Sequence, residues 1–374
     1  MRARLVRGLR WGLALAAILF VAWVVPVRDR CWDSRSPEST RVAVTHVDGG
    51  CVLHLRSGDV REDAAECDRL TCEPGLASTI AHSNGPALAA LLGLYALGYL
   101  VWSARWRALL DFAGVDMGLM QVWRVTLEAQ AGGILLPGGI GGDALRIASV
   151  VARPARPGHE RAPATIVVAS VLLDRAIGLA VLSALASALG FAWGGYRNTA
   201  LAFVLAAIPV GVAGVLLALR AAPLGRLGWL SGGRLGRVVV PMLQYLKNPR
   251  APRAIFRAVC LSFGSAAIQL AVVRGIIVAL GGTPAAERWV YVGSAMSFIV
   301  SAVPALPGGW GTADAAWVYF LGLAGLTAGT ALGVCLTYRL FWYVSAVVGA
   351  IVGIMRARTA TAGPAAGPAS QPPP

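Results

Sequence analysis

Long apolar runs bounded by arginines recur along this chain and constrain its fold more than any other feature. An ordinary soluble domain carries ~25% charged residues, whereas this chain carries 14%. A helix of ~20 apolar residues spans the hydrocarbon core of a bilayer. We therefore predict an all-α multi-pass membrane protein with about six full transmembrane helices. The six predicted crossings are residues 11–27, 86–103, 164–189, 200–219, 258–280 and 332–355.

The basic residues indicate topology rather than nucleic-acid binding. The chain has 33 basic and 18 acidic residues, a net charge of +15, and Lys247 is its only lysine. Positive residues concentrate in short cytoplasmic loops, and they favour contact with anionic lipid. Arg105 and Arg146, which follow apolar runs, are therefore predicted to mark cytoplasmic flanks. We expect both termini on the cytoplasmic side and no nucleic-acid partner.

The chain divides into four predicted parts. Residues 1–27 form an uncleaved first transmembrane helix, because this apolar run ends without a small-x-small cleavage site. Residues 28–84 form a periplasmic module, and residues 85–358 form the main transmembrane domain. Residues 359–374 are rich in Ala, Pro and Gly, a composition typical of a disordered tail, which we place in the cytoplasm.

The 28–84 module is predicted to contain β-structure and disulfides. Residues 42–47 and 51–56 alternate as strands do, and Asp48-Gly49-Gly50 between them is a hairpin turn signal. The module lies on the predicted oxidising side of the membrane, where cysteines pair. Four cysteines allow three pairings, and metal binding is the alternative, although no CxxC spacing supports it. The disulfide candidates are Cys31, Cys51, Cys67 and Cys72.

Two similar proline- and glycine-rich segments interrupt the transmembrane domain. They are Pro137-Gly138-Gly139-Ile140-Gly141-Gly142-Asp143 and Pro307-Gly308-Gly309-Trp310-Gly311-Thr312-Ala313-Asp314. Proline removes a backbone donor and glycine permits unusual dihedral angles, so a helix breaks there. The first segment has basic residues on both flanks, and the C-terminal tail is also basic, so each segment should return to the side from which it entered. This favours two re-entrant hairpins entered from opposite faces, in an inverted repeat; full crossings are the alternative. A helix restarting at Gly142 or Thr312 would direct free N–H groups into the membrane, where they favour anions.

Charged residues inside apolar helices are the candidate site residues. Asp174 and Arg175 lie in the first half, and Arg339 lies in the second. A charge at the bilayer centre costs ~2.5–3.5 kcal/mol on insertion scales, so it is usually functional. Paired interrupted segments in two halves indicate a transporter's substrate site. Structural roles are the alternatives. Asp143 and Asp314 cap the restarted helices, Asp174 and Arg175 neutralise each other or bond to neighbouring helices, and Arg274 snorkels to the interface.

Four motifs in order resemble the lysylphosphatidylglycerol synthase transmembrane region, a flippase-like integral membrane family of bacteria and archaea. The motifs are Leu136-Pro137-Gly138-Gly139-Ile140-Gly141-Gly142-Asp143-Ala144-Leu145-Arg146, Asp174-Arg175-x-x-Gly178, Leu306-Pro307-Gly308-Gly309-x-Gly311 and Tyr338-Arg339-Leu340. The resemblance covers roughly residues 86–356 and implies an inner-membrane protein. These 374 residues contain no soluble synthase half, so we expect no aminoacylation activity and no cofactor.

The resemblance and the charged residues together predict a flippase that moves a phospholipid or another lipid-phosphate headgroup. Arg175 and Arg339 would bind the phosphate through bidentate hydrogen bonds. Cationic groups of the headgroup would pair with Asp143, Asp174 and Asp314. Pro137 and Pro307 would be structural. Backbone donors would come from Gly138, Gly139, Gly141, Gly308, Gly309 and Gly311.

Two other functions stay open at this point. One is a non-transporting partner of an envelope-biosynthesis enzyme, docking through the 28–84 module. The other is an intramembrane lipid-modifying enzyme, which would need a general base at membrane depth. All four histidines fall outside the predicted spans, which leaves only the aspartates for that role.

Overall fold

The computed structural model describes ten segments of the chain, to which all structural statements refer. These are residues 25–33, 42–47, 50–55, 58–63, 70–135, 140–152, 163–192, 196–221, 246–301 and 311–361. The structure is mostly helical, as the composition predicts. The predicted first helix at 1–27 lies almost entirely outside the described residues.

An antiparallel five-stranded sheet forms the N-terminal module. Its strands are β1 (Asp29–Asp33), β2 (Val42–Val47), β3 (Gly50–Leu55), β4 (Gly58–Asp63) and β5 (Leu70–Glu73), in the order β4-β3-β2-β1-β5. The predicted hairpin corresponds to β2 and β3, in which Val47 is opposite Gly50. Cys31 and Cys72 are opposed across β1 and β5 and form a disulfide.

The other two disulfide candidates are placed less fully. Cys51 lies on β3 opposite His46, and Cys67 lies outside the described residues. The Cys31–Cys72 bond closes a 41-residue separation that contains most of the sheet. It therefore ties the last strand to the first.

The described part of the chain contains ten helices after the sheet. They are α1 (Leu76–Ala81), α2 (Gly85–Phe112), α3 (Leu119–Leu135), α4 (Ile140–Val151), α5 (Ala164–Ala192), α6 (Tyr196–Ala221), α7 (Ala251–Ala279), α8 (Glu287–Ser301), α9 (Thr312–Gly322) and α10 (Ala328–Thr361). Asn84 caps α2, because its side-chain oxygen accepts a hydrogen bond from the backbone N–H of Ala87.

Four of these helices are long and apolar enough to cross a membrane: α2, α5, α7 and residues 328–356 of α10. The predicted crossing at 200–219 corresponds to α6, whose apolar stretch, Leu205–Ala218, is shorter. The chain is therefore embedded in a membrane. Helix α10 continues to Thr361, three residues past Arg358, and the tail at 359–374 stays a prediction. The first helix-breaking residues, Gly363 and Pro364, lie beyond that point.

One order of helices occurs twice. A long helix, two short helices and a second long helix appear as α2–α5 and again as α7–α10. α2 packs along α7 in antiparallel fashion, with Gly98 beside Ile268 and Gly275 beside Leu91. The other contacts are reciprocal: α3 packs on α10, and α8 packs on α5. Each half thus supplies a short helix that packs against the last helix of the other half.

Gly349 sets how closely α10 approaches α3. A Cβ at this position would overlap the carbonyl group of Leu127, and small residues are what allow membrane helices to pack this closely. We expect Gly349→Ala to lower the free energy of unfolding by ~1–3 kcal/mol, the usual cost of overpacking. Thermal unfolding in detergent measures the change.

Gly93→Ala is the matched control for this substitution. Gly93 also lies inside a helix, but nothing is within 4 Å of an added Cβ. Alanine there should raise stability by ~0.5–1 kcal/mol, because glycine loses more backbone entropy on folding. Equal unfolding temperatures for the two variants would contradict the close contact at Gly349.

Candidate functional site

Asp174 is the centre of a buried charge network on α5. Its side chain is 1% exposed. One carboxylate oxygen accepts a 2.6 Å hydrogen bond from Nε of Arg105 on α2. The other accepts hydrogen bonds from Nη1 of Arg146 on α4 at 3.2 Å and from the indole of Trp102 at 3.1 Å. A single carboxylate therefore joins three helices.

Arg146 carries more donors than this network satisfies. Its guanidinium lies 4.9 Å from the ring centre of Trp102 and 4.2 Å from that of Trp106, a distance at which cation–π attraction acts. Nε and Nη2 are buried and have no hydrogen-bond partner in the part of the chain that the structure describes. Two arginines thus share Asp174, and the network has an excess of positive charge.

Arg105 and Arg146 are buried, and only 7% and 2% of these residues are exposed. Their assignment to cytoplasmic flanks stays a prediction. Asp174 and Arg175 bond to neighbouring helices, as one of the two structural alternatives has it, because consecutive residues on a helix point ~100° apart. The network itself was not predicted. The spacing of Asp143 and Arg146, three residues apart on one helix face, was the available signal.

Helix α4 forms an ion pair with the helix that follows it. Asp143, in the first turn of α4, accepts a 2.8 Å hydrogen bond from Nε of Arg175 on α5. These side chains are 22% and 39% exposed. Asp143 also lies 3.9 Å from Nη1 of Arg146, which connects the pair to the Asp174 network.

Helix α9 forms the corresponding pair with α10. Asp314, in the first turn of α9, accepts hydrogen bonds from Nη2 and Nε of Arg339 on α10 at 2.7 and 2.9 Å and from the thiol of Cys335 at 3.2 Å. Its other oxygen accepts the backbone N–H of Gly311 at 2.8 Å. Asp314 therefore caps its helix and also pairs with arginine. Both charged side chains are 7% exposed.

The two pairs occupy matching places. Each aspartate lies in the first turn of the short helix after a break. Arg175 follows Ala164, the first residue of α5, by eleven residues, and Arg339 follows Ala328, the first residue of α10, by eleven residues. At 1.5 Å per residue, each arginine is about 16 Å along its helix.

The surroundings of the two pairs differ. Charged residues surround the first pair, whereas Tyr338 precedes Arg339 and packs among aromatic rings. The ring centre of Tyr338 lies 5.3 Å from Tyr95, 5.1 Å from Phe298 and 6.1 Å from Trp317. Among the described residues, the first half therefore brings a second carboxylate and further arginines to its pair, and the second half packs aromatic rings around the residue before its arginine.

The glycine segments are described in part. The residues outside the described range are Pro137, Gly138, Gly139, Pro307, Gly308 and Gly309. Helix α9 begins at Thr312 as predicted, and Gly311 before it has φ of +79°, which favours glycine. Helix α4 begins at Ile140 rather than Gly142. Gly141 and Gly142 are buried, and a Cβ on Gly142 would lie 2.8 Å from the carbonyl of Ala129.

This arrangement suits a ligand that carries both charges. Guanidinium groups donate planar pairs of hydrogen bonds to phosphate oxygens, and carboxylates accept from amines. Among the described residues, no three His, Cys, Asp or Glu side chains cluster in a way that could hold a metal ion.

Comparison with known proteins agrees with the motifs. A family model described as "Lysylphosphatidylglycerol synthase TM region" matches residues 75–349, about three quarters of the 374-residue chain. No curated protein and no solved structure matches the chain. The extent of the family match shows that the chain belongs to the lysylphosphatidylglycerol synthase transmembrane-region family.

Proposed function

We propose that the protein moves a lipid with a phosphate headgroup across the membrane in which it is embedded. The observation that carries this proposal is the pair of matched ion pairs, Asp143–Arg175 and Asp314–Arg339. Charged groups inside apolar helices are expensive and usually mark a substrate path. Here they lie beside the breaks in two similar sets of helices, where transporters place their sites.

The proposed topology is an inverted repeat with two re-entrant hairpins, α3–α4 and α8–α9. The antiparallel packing of α2 on α7 and the reciprocal packing of the short helices support it. Residues 11–27 and α6 would complete six crossings of a bacterial inner membrane. Both termini would then be cytoplasmic and the sheet periplasmic. Rocking of one hairpin against the other would expose the site alternately to each face.

The headgroup would replace one partner in each ion pair. A buried arginine that loses its carboxylate needs another anion, because an uncompensated buried charge is costly. A lipid phosphate supplies that anion, and the released aspartate can accept an amine of the headgroup. Arg175, with 39% of its side chain exposed, would make the first contact. Arg339, with 7% exposed, would be reached only after its hairpin moves.

Arg175→Ala tests this assignment in liposomes that contain a fluorescent phosphatidylglycerol. Purified wild-type protein should bring inner-leaflet label to the outside, where a membrane-impermeant quencher removes it. Losing a charge-assisted hydrogen bond of ~1.5–3 kcal/mol should slow this movement at least about tenfold.

Arg356→Ala is the matched control for the transport experiment. Arg356 also pairs with a carboxylate, Glu128, at 3.4 Å, but its side chain is 54% exposed, so transport should continue at the wild-type rate. The proposal would be contradicted if folded wild-type protein moved none of three lipids: phosphatidylglycerol, phosphatidylcholine and a polyprenyl phosphate. That result would favour a non-transporting partner in envelope biosynthesis.

A further inference from the structure

A second feature that suits a lipid lies away from the ion pairs, in a groove between α5, α7 and α8. Its volume is about 650 Å³, within the ~300–1,000 Å³ range of small-molecule pockets. The lining is apolar except for Arg274 and Tyr291. The lining residues are Leu185, Leu189, Ala267, Leu270, Ala271, Arg274, Gly275, Val278 and Tyr291.

Small residues on α7 create the concavity. Ala267, Ala271, Arg274 and Val278 are spaced four, three and four residues apart, so they share one helix face. The two alanines and Val278 on this face are exposed. An apolar floor on the outer surface of a membrane-spanning helix faces lipid.

One edge of the Arg274 guanidinium group is hydrogen-bonded to Glu287. Its Nη2 lies 2.6 Å from one carboxylate oxygen of Glu287, and its Nε donates to the other at 3.0 Å. Nη1 is buried and has no hydrogen-bond partner among the residues that the structure describes. The side chain does not simply snorkel into solvent, because it is only 30% exposed and held by Glu287.

The position of Arg274 suits a headgroup. It is five residues from Ala279, the last residue of α7, or about 7.5 Å from the helix end. Glu287, its partner, is the first residue of α8. A guanidinium near the end of a span lies at headgroup depth, whereas the groove floor continues toward the middle of α7.

We propose that this groove is a binding site for an anionic phospholipid. The phosphate would accept hydrogen bonds from the Nη1 edge of Arg274, and one acyl chain would lie along Ala271 and Ala267 between Leu185 and Leu189. Guanidinium binds phosphate through such paired donors. A soluble phosphate would leave the apolar groove empty, so the occupant is the lipid itself. This site does not depend on the proposed transport.

Lipid binding to the purified protein in detergent tests the site. Native mass spectrometry would measure retention of phosphatidylglycerol and phosphatidylcholine by wild type, Arg274→Gln and Glu287→Gln. We expect Arg274→Gln to weaken phosphatidylglycerol binding at least about tenfold. Phosphatidylcholine binding should weaken less, because its choline group already neutralises the phosphate. Glu287→Gln should strengthen phosphatidylglycerol binding, because it removes the carboxylate that competes for Arg274.

Two further variants and one added competitor make the result decisive. Arg257→Gln, at an exposed position in the first two turns of the same helix, should bind phosphatidylglycerol as wild type does. Ala271→Trp, which fills the groove, should weaken binding of both lipids. Glycerol 3-phosphate should not displace the bound lipid.

Several outcomes would overturn the proposal. They are unchanged phosphatidylglycerol binding by Arg274→Gln, a parallel loss in Arg274→Gln and Glu287→Gln, or displacement by glycerol 3-phosphate. Binding is measured without a bilayer, so its failure is distinguishable from a failure of the proposed transport.

Discussion

Asp174→Ala is expected to destabilise the folded protein by about 3–5 kcal/mol, the largest loss of stability that we predict. The substitution removes the carboxylate that accepts from Arg105, Arg146 and Trp102. Arg105 would lose the carboxylate with which it pairs, and Arg146 would keep Asp143 at 3.9 Å. Two of the Arg146 donors already lack a hydrogen-bond partner among the described residues. Thermal unfolding in detergent should show a fall in melting temperature of many degrees.

Asp111→Ala is the control for Asp174→Ala. Asp111 also pairs with an arginine, Arg107, at 3.5 Å, but the two side chains are 44% and 40% exposed. Exposed ion pairs contribute ~0–1 kcal/mol, so this variant should unfold near the wild-type temperature. If Asp174→Ala unfolded at that temperature too, the network would not hold α2, α4 and α5 together.

Arg339→Ala is expected to cost nearly as much stability, and most of that loss should return when Asp314 is also replaced. Among the described residues, the single substitution leaves the buried carboxylate of Asp314 with two donors, the Gly311 N–H and the Cys335 thiol. Breaking a buried pair costs about 3–5 kcal/mol, whereas replacing both partners by apolar groups is often near neutral. Asp314→Ala/Arg339→Ala should therefore be more stable than Arg339→Ala.

A double-mutant cycle measures this coupling directly. Unfolding is followed for wild type, both single variants and the double variant under one detergent condition. The Asp314→Ala variant includes loss of the α9 cap, which costs ~0.5–2 kcal/mol, so its own stability must be measured. Additive effects would mean that Asp314 and Arg339 do not interact.

The sequence predicted the residues of the two ion pairs because each belongs to a local pattern. Asp143 and Asp314 follow glycine-rich breaks, and Arg175 and Arg339 interrupt apolar helices. These patterns are visible within a few residues. The β2–β3 hairpin was predicted for the same reason, because strand alternation and a turn signal are local.

The Asp174 network was missed because no local pattern encodes it. Arg105 is 69 residues from Asp174, and their contact depends on how α2 packs against α5. The rule that arginines mark cytoplasmic loops gave Arg105 and Arg146 a role in topology alone. Arg274 was likewise assigned to the interface alone, although Glu287, 13 residues further on, holds one edge of its guanidinium.

Lipid movement by the charge-neutral double variant tests the central claim most directly. Asp314→Ala/Arg339→Ala removes the second ion pair without leaving a buried charge, so the protein should remain folded. Reconstituted beside wild type and Arg356→Ala, it should move fluorescent phosphatidylglycerol at least about tenfold more slowly than either. Movement at the wild-type rate by the folded double variant would contradict the claim that Asp314 and Arg339 lie on the path of the headgroup.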